Sequence, residues 1–173
     1  MAKFTLDIAE EIDFNLIAVA SHTKMYKLCW AINAQLGFKF IKHDDFIIRE
    51  SFSTFRHYSS YKFYQENTEI FYQLIENKGQ LVSHKNTQNL PIDEGVSYLI
   101  KEHKNFNYFL YINGIFIESD YHLLLKELRN IPRILTTFEI DLQQIKNRSI
   151  FLDYDPFKQN KNSSHIRASV RQS

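Results

Sequence analysis

A chain of 173 residues, 44% hydrophobic and 24% charged, can bury one core without disulfides or metals and has the balance of an ordinary globular domain. Only four glycines and three prolines occur, so neither a long flexible linker nor a second domain is expected. The net charge of +1 conceals an asymmetry: residues 158–173 hold Lys158, Lys161, Arg167 and Arg171 with no acid, leaving a slightly acidic body unlike a dedicated duplex-DNA binder.

Along the chain, Phe14 to Ala20 form a short apolar run that reads as a buried strand. Ser21 then serves as an expected N-cap, and Met25, Leu28, Cys29, Ile32 and Leu36 recur at helical spacing until Gly37 stops the helix. Phe38 to Ile41 and Phe46 to Ile48 read as short strands. A long alternating run, Phe55 to Tyr64, is followed after Gln65-Glu66-Asn67 by Glu69 to Ile75, and the two predict a hairpin. Most loop signals fall between Lys78 and Gly95.

Asn105 to Ile112 is apolar on both faces and reads as a central strand. Asn113-Gly114 predicts a tight turn returning through Ile115 to Ile117. Ser119-Asp120 opens a second helix, with Tyr121, Leu124, Leu125, Leu128 and Ile131 inward and Pro132 closing it. A strand with Phe138, Ile140 and Leu142 inward and Glu139 and Asp141 outward comes next, then a last short strand at Ile150 to Leu152. Two main helices against a mostly antiparallel sheet predict a two-layer α+β domain over residues 1–156, with a basic, disordered tail over 157–173.

The lone Cys29 cannot form an internal disulfide, which suits a reducing compartment. Acids at Asp7, Glu10 and Glu11 interrupt any signal-peptide core, and no apolar run approaches the roughly 18 residues of a membrane span. The expected location is cytoplasmic, away from membranes.

Catalytic and cofactor patterns are hard to find. The glycines Gly37, Gly79, Gly95 and Gly114 are isolated, so no phosphate-cradling loop is expected. No two histidines stand four apart, and His43-Asp44-Asp45, the nearest approach to a ligand cluster, reads as a polar turn. Cys29 lies on the apolar stripe of its helix, where a free cysteine packs as a small hydrophobe. The sequence therefore implies no catalytic residue, no metal site and no cofactor.

The run Phe55 to Tyr64 is more suggestive. Period two puts Arg56, Tyr58, Lys62 and Tyr64 on one face, where tyrosines interleaved with cations resemble a stacking platform for unpaired bases. The competing reading is a half-exposed sheet whose cross-strand Tyr and Lys neighbours cover one another.

From Tyr26 to Asn33 the residues Tyr-Lys-Leu-Cys-Trp-Ala-Ile-Asn resemble the Y-x-L-C-W-x-(I/L)-N helix of the bacterial IPExxxVDY family. The name-giving motif falls on Ile100 to Tyr108: Ile100, Glu102 and Tyr108 agree, whereas Lys101 replaces Pro, Phe106 replaces Val and Asn107 replaces Asp. The likeness spans about Phe14 to Tyr154 and implies a small cytoplasmic bacterial protein of unassigned activity. Asn107 could not serve as an acid or base where the motif has Asp. The motif residues are expected to be structural, with Glu102 satisfying turn amides and Tyr108 filling the core.

The leading expectation is a non-enzymatic interaction or structural protein that binds a protein partner through a sheet face or edge. The alternative is an RNA-associated accessory factor using the aromatic–basic strand and the basic tail. A homodimer through an exposed strand is compatible with the same sequence.

Overall fold

Alternation and apolar runs become strands wherever both faces of the chain find cover. In the computed structural model, which describes residues 14–51, 54–83, 97–152 and 154, the elements in order are β1 (Phe14–Ala20), α1 (Met25–Leu36), β2 (Ile41–Lys42), β3 (Phe46–Arg49), β4 (Thr54–Tyr58) and β5 (Ser60–Gln65), then β6 (Ile70–Glu76), β7 (Lys78–Ser83), β8 (Ser97–Tyr98), β9 (Tyr108–Asn113), α2 (Glu118–Arg129), β10 (Thr136–Glu139) and α3 (Ser149–Leu152). A six-stranded sheet runs β10-β1-β9-β6-β5-β2 and a four-stranded sheet runs β3-β4-β7-β8, with every pairing antiparallel. The fold is α+β. The expected basic tail and most of the expected loop between Lys78 and Gly95 lie outside the described residues.

Strands β1, β9 and β6 are buried on both faces, which is why they read as nearly continuous apolar runs. Ile17, Val19, Tyr72, Leu74, Leu110 and Ile112 meet Leu28 and Ile32 of α1 and Leu125 and Leu128 of α2. Leu16, Ala18, Phe71, Ile75, Phe109 and Tyr111 face the other way, against Phe46 and Tyr58 of the smaller sheet and Phe151 of α3. The expected two layers, helices on an antiparallel sheet, are present, and the small sheet with α3 adds a third over the other face.

Several expectations are corrected locally. The run Phe55 to Tyr64 is two strands: β4 joins the small sheet, β5 the large one, and the chain turns between them at Ser59. Ser60, fully buried just past the corner, donates its Oγ hydrogen to the Asp44 carbonyl. The hairpin with residues 69–75 holds for β5 and β6, which pair from Ser60 with Ile75 to Gln65 with Ile70. Lys78 to Ser83, expected as loop, form β7 because β4 offers them a ladder. Ser21 is not an N-cap, since Lys24 precedes α1; its Oγ donates to the Arg133 carbonyl at 2.6 Å and accepts from the Thr23 amide.

Asn113-Gly114 closes no hairpin. β9 already pairs with β1 on one side and β6 on the other, so no edge is left for a returning strand. Gly114 has φ 135, with the space of its missing Cβ bounded by the Ile70 backbone, and releases the chain into α2. β10 is an edge strand, and Phe138, expected inward, is more than half exposed while Thr137 is buried opposite Val19. The short strand expected at Ile150 to Leu152 is the helical turn α3.

One close approach joins two neighbouring strands of the small sheet, β4 and β7. A Cβ on Gly79 would stand 2.6 Å from the Tyr58 ring, which is buried and cannot swing away. Gly79→Ala is therefore expected to lower stability by about 1–3 kcal/mol, the usual cost of overpacking a filled site. Urea denaturation reads this directly, and an unchanged midpoint would show that the ring has room to move.

Candidate functional site

The turn at Ser59 decides the fate of the aromatic–basic face. On either side of it, the side chains of Tyr58 and Lys62 point into the space between the two sheets rather than to solvent. Tyr58 is 2% exposed, with its hydroxyl 3.3 Å from Ser97 Oγ. Lys62 is 6% exposed, with Nζ 5.9 Å above both the Phe71 and Tyr154 rings. Burial holds the Lys62 ammonium below the usual lysine range. Arg56 is half-buried and paired with Glu50, and Tyr64 alone of the four is exposed. The expected platform on one open face is thus corrected: Arg56, Tyr58, Lys62 and Tyr64 are divided between the interior and the surface.

The motif residues from Ile100 to Tyr108 form a structural knot. Ile100 is buried, and its amide donates to Asn77 Oδ1 at 3.1 Å. The Asn77 amide group donates to the carbonyls of His103 at 3.2 Å and Phe106 at 2.9 Å. Asn107 Oδ1 accepts from the Ser21 amide, and the Tyr108 hydroxyl donates to the Thr23 carbonyl at 2.7 Å. Burial pushes the Tyr108 phenol up to about 12. Glu102 lies exposed on the 3-10 turn Lys101–His103. The role expected for Glu102 falls instead to Asn77, which the sequence did not single out.

The remaining chemistry-bearing residues do not converge. Asp45 accepts from Lys42 Nζ at 2.9 Å and stands 3.8 Å from His57 Nδ1. His43 keeps a buried Nδ1 without a protein partner, and burial, aided by Lys62, lowers its proton affinity. No group of three His, Cys, Asp or Glu that could hold a metal occurs among the described residues. Cys29 is buried, which pushes its thiol up to about 12, far from a reactive thiolate.

Two concavities among the described residues bear on binding. The larger, about 470 Å3, opens between the end of α1, the β5–β6 turn and the start of α2. Leu36, Phe38, Ile70, Phe116 and Leu124 make an apolar floor, and Asp120 and Glu127 stand among its lining residues. Beside it Ile115 is 94% exposed, with Ile117 and Leu123 more than half exposed. Ile115 and Ile117 were expected on the returning strand of a hairpin, and the cause of their exposure is that β9 leaves no edge for 115–117 to join. The smaller concavity, about 230 Å3, lies between the small sheet and residues 147–150 and contains Arg56 and Lys101.

No helix among the described residues is long and apolar enough to cross a membrane. No known protein family matches the chain, and neither does any curated protein or solved structure.

Proposed function

We propose that the protein is an interaction module that takes the apolar anchors of a partner segment into the groove beside α2. The observation that carries this reading is the cluster of Ile115, Ile117 and Leu123, apolar side chains held in solvent around an apolar floor. Large apolar groups at a rimmed concavity mark docking sites in proteins of this size. Asp120 and Glu127 line the groove, and the β5–β6 turn beside it carries Glu66 and Glu69. That charge favours a segment whose apolar anchors are flanked by Lys or Arg, as in helix-in-groove recognition. Burial of Tyr58 and Lys62 withdraws the stacking surface on which an RNA-associated reading rests, so the protein partner is preferred.

The test is selection from a library of amphipathic peptides with basic, neutral or acidic flanks, using the full chain and its Leu123→Glu variant. Basic-flanked apolar peptides are expected to be enriched, with binding weakened at least about tenfold by a carboxylate placed among the anchors. Enrichment indifferent to flanking charge, or unaffected by Leu123→Glu, would overturn the reading. A concentration-dependent dimer that Leu123→Glu dissolves would assign the groove to a second copy instead.

A further inference from the structure

We propose that the smaller concavity is a binding site for a phosphomonoester group, independent of the apolar groove. Its wall is β4 of the small sheet, from which Arg56 projects. Arg56 lines the pocket, with its Nε donating to Glu50 Oε1. The planar fork of a guanidinium matches carboxylate or phosphate oxygens. Lys101, at the start of the 3-10 turn, brings a second cation to the same pocket. Glu50 is the one acid lining it, so the balance of charge is positive even with Glu50 bound to Arg56.

The neutral lining extends this donor set. Ser97, Asn147 and Ser149 contribute two hydroxyls and an amide, and Ser97 is held by the Tyr58 hydroxyl at 3.3 Å. Two cations and three neutral donors exceed what the two oxygens of a carboxylate would use. They suit the three terminal oxygens of a phosphomonoester. At about 230 Å3 the pocket takes that group together with a small organic moiety, and Ile48, Leu99 and Ile150 supply apolar contacts for it. The residues come from β3, β4, β8, the turn after it, Asn147 and the start of α3, so the site exists only when the small sheet and the C-terminal residues come together.

The experiment is titration of the full chain with phenyl phosphate and with inorganic phosphate at low salt, followed by calorimetry and by backbone amide shifts of Ser97 and Ser149. Saturable binding of phenyl phosphate is expected, stronger than that of inorganic phosphate. Arg56→Gln should weaken it about tenfold or more, since a charge-assisted hydrogen bond is removed. Because Arg56 is partly buried, Lys101→Gln provides the second arm: Lys101 is exposed, so melting temperature should not change while affinity falls several-fold. Absence of saturable binding, or binding unchanged in both variants, would overturn the proposal. Benzoate binding as tightly as phenyl phosphate would overturn it too, because the site would then read a carboxylate.

Discussion

Replacing Asn77 by alanine is expected to cost about 2–6 kcal/mol, a large share of the roughly 5–15 kcal/mol that holds a domain of this kind together. Asn77 is fully buried, and its side chain is the partner of the Ile100 amide and of the His103 and Phe106 carbonyls. Alanine would leave the Ile100 amide and the Phe106 carbonyl without their partner, each worth about 1–3 kcal/mol when desolvated, while the His103 carbonyl keeps the Phe106 amide. The main chain of Asn77 adds to the knot, donating to the Asn107 carbonyl and accepting from the Leu99 amide, both at 2.8 Å. Those bonds survive the substitution, so the effect isolates the side chain. Asn77→Asp should be no better: a carboxylate can still accept from Ile100 but faces two carbonyl oxygens with no hydrogen to offer. Urea denaturation of both variants, beside Asn67→Ala in the exposed β5–β6 turn as a control, measures the difference. A loss under about 1 kcal/mol for Asn77→Ala would show that the 3-10 turn is held by other means.

Alkaline unfolding is the second large effect. Cys29, Tyr72 and Tyr108 all sit in the core between the large sheet and its helices, and burial pushes each of them up to about 12. The neutral forms are also the ones the structure uses, because the Tyr108 hydroxyl donates to the Thr23 carbonyl and the Tyr72 hydroxyl to Gln65 Oε1. In the unfolded chain these groups titrate from about pH 8.5 for the thiol and about pH 10 for the phenols. Between those values and 12 the unfolded state therefore holds fewer protons than the folded one, and stability falls as pH rises. Below pH 8 the full contribution is present. At about 1.4 kcal/mol for each tenfold in proton affinity, the two phenols alone remove about 5 kcal/mol by pH 12. Lys62 works in the opposite direction, since burial disfavours its charged form and proton loss favours the fold, but it is one group against three. Circular dichroism and tyrosinate absorbance followed from pH 8 to 12 should show a cooperative transition in that window. Early, non-cooperative titration of all ten tyrosines would show that the core phenols are open to solvent.

The two helices and the central strands were legible because their signals are local. Met25, Leu28, Cys29 and Ile32 repeat at 3.6 residues and are all buried, and Gly37 ends α1 with a left-handed φ of 68. Tyr121, Leu124, Leu125 and Leu128 do the same for α2. The apolar run of β1 and the two-faced apolarity of β9 correctly announced strands buried on both sides, and the alternating runs on either side of residue 67 correctly announced the β5–β6 hairpin.

Three-dimensional neighbours settled the rest. Alternation from Phe55 to Tyr64 continues without a break in the sequence, yet the strand changes sheets at Ser59. A surface lined with Tyr and Lys thereby becomes the space between layers. Asn113-Gly114 carries turn chemistry, but a hairpin needs a free edge beside β9, and β1 and β6 occupy both. The same circumstance leaves Ile115 and Ile117 in solvent and so creates the apolar groove. Nothing local distinguishes Asn77 from any other asparagine, since its three partners lie 23 to 29 residues away. The sequence by itself determined the two main helices and the buried central strands, though not β7 or α3, because periodicity is a property of consecutive residues. Strand order, the faces left uncovered and the pairing of buried polar groups depend on contacts between distant segments, and those were decided only by the tertiary structure.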